Sequence, residues 1–596
     1  MSETVTIASY LKTRLEQLGL GAMFGVAGNY TAGFLDTILA DPDSSIRIST
    51  NANEICAGYA ADAYARYNGI GALYVTYSVG AFSLLNTIAG SYVEQVPVLL
   101  INGGPTSKEA SLEQNAGLLY SHTTGLASVD IGMFRSITAA AEQISNSAQA
   151  PYQIDSALTA MITELRPAYI EIAEDLWRAE CQAPQGELFA DRPGSVTRSE
   201  VDAAVEATVE LIQGSSKALF WAGIELARYR LQDDFLELLE TVNGRHTSHN
   251  DQIRFITTAL SKSVISEDNP YFDGCVTLKK AEIDTLLGDD GILIGIGGWT
   301  VGKDTGNENI RSNRAVLSYQ GGILVGAKYY PSVLLEDFLK GLIEKLKSIP
   351  AQNLAALRVT SKAPRLPLTL ESNSSEKLGY DAFFGALDSW ITRDHMLVVD
   401  AGFPLIGAQS LKIRERGGFL AQAAWLAIGY SVAAGTGVKM ANPDKRVVVV
   451  VGDGAFHETC QAISDHTADG QNTVVFVLSN GIYGIEQFIV NPNPFREPDD
   501  KKDYPDQNLN TVFKYNTLPK WDFVKLAEGF GAKGRKAADH AGLHEVLGEI
   551  ASDPGGNYLV EIVIPKTDLP GALDSDAKGV GEDEYQNPSW PPCKKF

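Results

Sequence analysis

Five consecutive valines, residues 447–451, run into Gly452-Asp453-Gly454, and a second apolar run, 474–478, is soon followed by Asn480. Short β-branched runs separated by a helix-length stretch read as strand, crossover helix and strand. A crossover of that kind makes the two strands parallel, so the chain must build at least one parallel sheet covered by helices. Asp453 and Asn480 then sit at the carboxyl ends of their strands, where open α/β sheets bind ligands. A carboxylate and an amide oxygen there suit Mg²⁺, which keeps few protein ligands and takes the rest from water and phosphate oxygens. Flanking glycines let a phosphate approach the backbone. Gly452-Asp453-Gly454 by itself is equally an ordinary strand-to-helix turn; Asn480 after the next strand favours the ligand site.

A chain of 596 residues is long enough for three or four domains. No run reaches the ~18 apolar residues of a membrane span, so no membrane partner is expected, and Met1-Ser2-Glu3-Thr4 lacks the basic-then-apolar order of a signal peptide. The net charge of −24 argues against nucleic acid, whose phosphates need a basic face. Five cysteines, Cys56, Cys181, Cys275, Cys460 and Cys593, are scattered and form no metal-type cluster. That usage predicts a reduced, cytoplasmic protein.

Ile7, Leu11, Leu15 and Leu18 recur at helical spacing, with Thr6 to cap the start and Gly19 to end it. Strands are expected near 23–27, 46–50, 73–77, 98–101 and 169–172, alternating with helices. A polar segment, 181–198, reads as a linker. A second α/β region opens with a helix near Ser199 and a strand at 218–221, and closes with a helix over 335–346. Its Gly295-Ile296-Gly297-Gly298 lacks the full G-x-G-x-x-G pattern and reads as a structural strand end. Prolines 350, 364 and 367 mark a second linker over 348–377. A third α/β region runs from about Gly379 to a strand at 558–564. The tail from Pro565 is polar and Pro/Gly-rich, and is expected to be loosely ordered. The fold class is α/β, with three doubly wound parallel-sheet domains over 1–180, 195–347 and 376–566 and a tail over 567–596. No sequence repeat is visible, although two of the regions could share a fold.

Two further segments have chemistry of their own. Trp425-Leu426-Ala427-Ile428-Gly429 precedes the valine strand and could place a bulky apolar side chain at the site or simply pack the core. Asn53-Glu54 opens an Ala-rich helix, where an acidic residue suits the helix dipole whatever else it does.

Several motifs resemble the pyruvate decarboxylase-like family of thiamine diphosphate-dependent 2-oxo acid decarboxylases. They are Val26-Ala27-Gly28-Asn29-Tyr30, Asn53-Glu54 with Gly58-Tyr59 and Ala63-Tyr64-Ala65-Arg66, and Thr76-Tyr77-Ser78-Val79-Gly80-Ala81. Lys262-Ser263 with Glu267-Asp268-Asn269-Pro270, Pro331-Ser332-Val333, the segment 451–454 and Tyr483-Gly484-Ile485-Glu486 continue the series in family order to about Pro570. The resemblance implies pyrimidine-binding, middle and diphosphate-binding domains, and thiamine diphosphate with Mg²⁺ as cofactors. It implies that Glu54 contacts the pyrimidine, that Ile428 wedges the two rings into a bent form, and that the Leu426 carbonyl accepts from the amino group. Asp453, Asn480 and the Ile482 carbonyl would hold Mg²⁺, with Gly452, Gly454, Tyr483 and Gly484 around the diphosphate, and Glu486 would face substrate. The pyrimidine-binding domain of one subunit would meet the diphosphate-binding domain of another, so a homodimer is the minimum and a homotetramer the expected assembly.

Two positions depart from the family pattern. Its Gly-Asp-Tyr is Gly28-Asn29-Tyr30 here, and its His-His pair is Ser121-His122. Asn29 has no titrating proton, whereas His122 can exchange one near neutral pH. The resemblance implies decarboxylation through an enamine, with Glu54, His122, Glu486 and Asn29 as the catalytic set. Losing an acid/base group costs roughly 10²–10⁴-fold in its step, which could favour carboligation with a second carbonyl compound into an acyloin or acetohydroxy acid. A cofactor-binding protein without activity is the third alternative. Ala401 and Leu405 stand where small-substrate members carry Thr and Trp; with Ile485 and Ile489 they would border a pocket for a 2-oxo acid bulkier than pyruvate. The segment 491–516, rich in proline and charge, reads either as a mobile lid that excludes water or as a surface excursion.

Overall fold

The computed structural model describes residues 3–573 apart from 127, 189–193, 196, 245–251, 303–309, 311–312, 320, 350–354, 357–373 and 497–509. Its first helix, Ile7–Gln17, starts at Thr6, whose hydroxyl accepts from the Ser9 amide at 3.1 Å, and stops before Gly19 at φ +80°. Ile7, Leu11 and Leu15 are fully buried along one stripe, as their spacing predicts.

Three sheets follow one another along the chain, and the first and third have the same topology. The first is six-stranded, from Ala22–Gly25, Arg47–Thr50, Gly71–Thr76, Val98–Gly104, Ala140–Ile144 and Ala168–Ala173. The third is six-stranded, from His395–Val399, Phe419–Ala421, Arg446–Gly452, Val474–Ser479, Lys533–Ala537 and Tyr558–Val563. Numbered within its own sheet, each runs 2-1-3-4-6-5, with every pair parallel. No sequence repeat marks this kinship, because burial constrains only the polarity of the strand residues and leaves their identity free.

The middle sheet differs from the all-parallel expectation. Lys217–Ala222 lies between Phe255–Thr257 and Gly291–Ile296 in parallel, but the edge strands Gly322–Val325 and Lys328–Tyr330 run antiparallel. Gly326, at φ +56°, turns the chain straight back and removes any need for a crossover. The glycines at 295–298 serve packing. A Cβ on Gly223 would lie 2.1 Å from the Gly297 carbonyl carbon, and one on Gly298 2.7 Å from the Trp221 ring, so no phosphate fits between them.

The first predicted linker begins inside a strand: Glu180–Gln182 pairs antiparallel with Thr4–Thr6. Most of the second linker, the core of the lid segment and the tail beyond 573 lie outside the described residues. The described start of the tail is tied down. Asp568 accepts the Tyr380 amide at 2.7 Å, and the Gly571 amide donates to Asp381 at 2.9 Å, so the tail caps the helix Tyr380–Trp390.

The Ala-rich helix Glu54–Asn68 packs on the helix Tyr430–Ala441 of the third region. Its small side chains allow unusually close approach: a Cβ on Gly437 would lie 2.0 Å from the Ala60 carbonyl oxygen. Beside this contact, Arg66 is buried between Asp62 and Glu94 at 2.7 Å each, and Tyr430 donates to Asp62 at 2.8 Å. The middle region is tied to the third by the buried Lys262–Glu267 pair. Lys262 also donates to the Leu411 carbonyl at 2.7 Å, and Glu267 accepts the Ile413 amide at 2.8 Å. Among the described residues no helix is long and apolar enough to cross a membrane.

Candidate active site

The strands Arg446–Gly452 and Val474–Ser479 are neighbours, with Gly452 level with Leu478. Their carboxyl ends therefore bring Asp453 and Asn480 side by side, as the opening motif predicts. Asp453 is buried; its carboxylate accepts the Gly481 amide at 2.7 Å and the Gly454 amide at 3.0 Å. Burial pushes its carboxyl up to about 6, against the lowering effect of these amides. The Asn480 side chain donates to the Tyr380 hydroxyl at 3.0 Å and accepts the Ile482 amide at 3.0 Å, which fixes the amide's orientation. Ile482 pairs antiparallel with Thr517 through bonds made by its neighbours: Tyr483 donates to Asn516 and Leu518 donates to Gly481. The Ile482 carbonyl thus points away from the partner segment and accepts no hydrogen bond among the described residues.

This donor set fits Mg²⁺ and a diphosphate. It offers one carboxylate, one amide oxygen and one free carbonyl, all hard oxygen donors. Among the described residues no group of three or more His, Cys, Asp or Glu gathers as a metal cluster. Gly454 and Gly484 are closed off by the Tyr483 and Phe403 rings, each 2.5 Å from an added Cβ, whereas at Gly452 the nearest atom would be Pro404 at 3.9 Å. The open space is at the strand end itself.

The segment 424–429 is held in an unusual shape. Leu426 has φ +60°, which costs a non-glycine residue about 1–2 kcal/mol. Glu94 accepts the Ala424 and Trp425 amides at 2.8 and 3.0 Å, and Asn86 accepts the Trp425 indole at 2.9 Å. On the far side Asp400 accepts the Gly429 amide at 3.1 Å and the Ser431 amide at 2.9 Å. Held from both ends, the segment leaves Ile428 40 % exposed, so it does not pack the chain's core. Asp400 also accepts the Ala401 amide at 3.0 Å. Ala401 is followed by Gly402 at φ +88°, where an added Cβ would lie 3.4 Å from Ile485. Gly402, the neighbour of Ala401, therefore lies against Ile485. Ile489 is half-buried on the same helix as Ile485, Gly484–Val490, and Glu486 is exposed there. Leu405 is only 6 % exposed and joins the apolar core of the third region.

The first sheet builds a second cluster. Glu54 is the first residue of its helix, capped by Asn53, which accepts the Cys56 amide at 2.8 Å. Glu54 is half-buried, and its carboxylate has no hydrogen-bond partner among the described residues and lies 3.3 Å from an added Cβ on Gly80. Nearby, the buried Thr76 hydroxyl has no partner either. Asn29 is exposed beside the buried Tyr30, whose ring meets Tyr77 at 4.9 Å and His122 at 6.3 Å. Tyr77 donates to the Ser121 carbonyl, and His122 is exposed at φ +71°. Asn29 and His122 therefore share one end of the sheet. No hydrogen bond or ion pair joins Glu54 to Asp453 among the described residues of the chain.

Sequence reasoning did not single out Glu94, Asp400 or Tyr380. Asp400 could have been found, since it ends an apolar strand just as Asp453 does. Glu94 and Tyr380 carry no local signal, because their partners lie far away in the chain.

Residues 5–125 match the thiamine pyrophosphate enzyme N-terminal TPP binding domain, and residues 400–562 the C-terminal TPP binding domain of the same enzymes. A probable pyruvate decarboxylase of Schizosaccharomyces pombe is 27% identical over 98% of this chain and 97% of its own length. Pyruvate decarboxylase 2 of Oryza sativa subsp. japonica is 27% identical over 95% and 90%, and pyruvate decarboxylase 4 of Arabidopsis thaliana 28% over 81% and 78%. The two matched domains contain the two clusters described above. The chain carries both thiamine pyrophosphate-binding domains and is similar to pyruvate decarboxylases along nearly its whole length, which supports a place in the thiamine diphosphate-dependent 2-oxo acid decarboxylase family.

Proposed function

We propose that the protein catalyses the Mg²⁺- and thiamine diphosphate-dependent, non-oxidative decarboxylation of a 2-oxo acid bulkier than pyruvate. The observation that carries this reading is the trio of Asp453, Asn480 and the free Ile482 carbonyl at adjacent strand ends. These would hold Mg²⁺, with Gly452 leaving space for the diphosphate. Thiamine diphosphate would supply there an acidic carbon as nucleophile and an electron sink for the decarboxylation. Exposed Ile428 would support the cofactor's rings, and the Leu426 carbonyl would accept from its amino group. Glu54, half-buried and without a partner, holds a proton at the pyrimidine nitrogen. Glu486 and His122 move protons to and from the substrate carbon, and Asn29 orients the substrate without titrating. Ala401, Leu405, Ile485 and Ile489 line the side-chain pocket.

A second copy completes the site in this reading. Glu54 and Asp453 are not joined within one chain, and Ile55, Val79, Trp425 and Ile428 expose apolar surface around the two clusters. A two-fold pair covers this surface twice over, and two such pairs form the tetramer. The exposed Asn29 amide supports a second reading, carboligation, since one proton donor fewer stands beside His122. Similarity to pyruvate decarboxylases gives the non-catalytic alternative no support.

A panel of 2-oxo acids, with carbon dioxide and aldehyde both measured, tests the reading. Equal amounts of the two, with a branched or aromatic substrate preferred over pyruvate, are expected. Chiral hydroxyketone with little aldehyde would select carboligation. Asp453→Ala should abolish uptake of thiamine diphosphate with Mg²⁺ in a fluorescence titration; unchanged affinity would refute the proposed metal site.

A further inference from the structure

We propose that Asp465 is a positioning residue for Glu54. It lies on the helix Ala462–Ala468 of the third region and reaches across to the turn of the first sheet from which Glu54 springs. Its two carboxylate oxygens are divided between successive residues of that turn. One accepts the Ala52 amide at 2.9 Å and the other the Asn51 side-chain amide at 3.1 Å. Asn51 in turn brackets Gly25: its side chain accepts the Gly25 amide at 3.1 Å and its own amide donates to the Gly25 carbonyl at 2.9 Å. Asn53 then caps the helix. Each of the three residues before Glu54 is therefore fixed by a directed hydrogen bond, and two of those bonds end on Asp465.

This arrangement differs from a surface tether. Asp465 is 3 % exposed and Asn51 5 %, so the Asn51 bond forms away from competing water and the Ala52 bond is partly shielded from it. Asp469, one turn on, makes the outer contacts, to Arg47 and Ser49 at 2.9 Å each. Among the described residues Asp465 thus has no cation of its own. Burial, and secondarily the negative Asp469, push its carboxyl up to about 7. Other titratable groups around it are the Cys56 thiol on the Glu54 helix and His466, whose ring faces the Val432 carbonyl. On protonation one Asp465 oxygen becomes a donor and faces either the Ala52 N–H or the Asn51 amide. One of the two bonds is then lost, and the turn loosens without the fold unravelling. A carboxylate that must hold one proton at one ring nitrogen is sensitive to such loosening, since a displacement of about 1 Å can cost roughly 10²-fold.

The inference rests on the assignment of Glu54 to the pyrimidine, and the experiment separates the two. Amide hydrogen exchange over residues 51–54 is followed in the cofactor-free protein, and deuterium exchange at the acidic carbon of thiamine diphosphate in the Mg²⁺-loaded protein. Asp465→Asn should lower amide protection by about tenfold, the weight of one hydrogen bond to a charged group. It should slow carbon exchange by about tenfold or more, with KM changed less than about twofold. Asp469→Asn should leave both within about twofold. Glu54→Gln should slow carbon exchange and leave protection intact; normal exchange in that variant would remove the Glu54 assignment instead. Wild-type protection and carbon exchange in Asp465→Asn, beside a slowed Glu54→Gln, would overturn the Asp465 role alone. Should Asp465→Asn not fold, the wild-type protein decides. Protection of the Ala52 amide, corrected for intrinsic exchange, should fall severalfold between pH 8 and pH 6; no fall overturns the role.

Discussion

Glu94→Gln keeps the shape of a fully buried side chain and removes one charge from a balanced set. Arg66 and Arg228 are opposed there by Asp62 and Glu94. One Glu94 oxygen accepts Arg66 at 2.7 Å, and the other accepts the Ala424 and Trp425 amides. Glutamine has one acceptor oxygen and one amide group, so it must turn a donor toward either the guanidinium or the loop. Arg66 already has one terminal nitrogen without a partner, so no spare acceptor absorbs the change. Breaking a buried pair in this way costs about 3–5 kcal/mol, about two to three and a half decades in an equilibrium constant. Part of that cost falls on the segment 424–429, which loses the anchor holding Leu426 at positive φ. Urea unfolding of the cofactor-free protein should show a destabilisation of about 3 kcal/mol or more, and thiamine diphosphate affinity should drop at least tenfold. A change under about 1 kcal/mol with unaltered affinity would refute the reasoning, because an uncompensated buried guanidinium cannot be that cheap.

Gly437→Ala should destabilise by about 1–3 kcal/mol or more, because the new methyl would meet the Ala60 backbone at 2.0 Å and force the helices apart; a melting temperature within about 1 °C of wild type would contradict that packing. Glu171 is buried, and burial first of all raises its carboxyl from 4.5 to about 7. A folded value above the unfolded one means that stability present below about pH 4.5 is lost as pH rises through about 7, on the order of 3 kcal/mol. Glu171→Gln should therefore flatten the urea midpoint between pH 5 and pH 8, and an unchanged slope would assign the pH dependence elsewhere. Leu405→Trp should shrink the pocket and shift kcat/KM toward pyruvate by about tenfold or more; an unchanged substrate ranking would leave Leu405 as core alone.

Much of the site was legible because strand ends announce themselves. A valine run stopped by Gly-Asp-Gly, and a second run stopped near Asn480, place both side chains from chain-local information alone. Glu54 was legible only through resemblance, since an acidic residue opening a helix satisfies the dipole in any protein. The exposure of Ile428 speaks against the core-packing reading that spacing left open, and its part in holding the cofactor stays with the proposal. Leu405 carries both readings at once: its alignment suggests a pocket wall, and its burial is that of a residue packed with the core of the third region.

From the residues themselves came the alternation of strand and helix, the parallel order it imposes, and the pairing of Asp453 with Asn480, all of which depend on neighbours close in the chain. The fold alone decided the antiparallel edge of the middle sheet and the identical strand order of the outer two. It alone brought Glu94, Asp400 and Asp465 to the segments they hold. Those contacts join residues 29 to 414 positions apart, and a carboxylate chooses such partners by where packing leaves unpaired N–H groups, which no local pattern encodes.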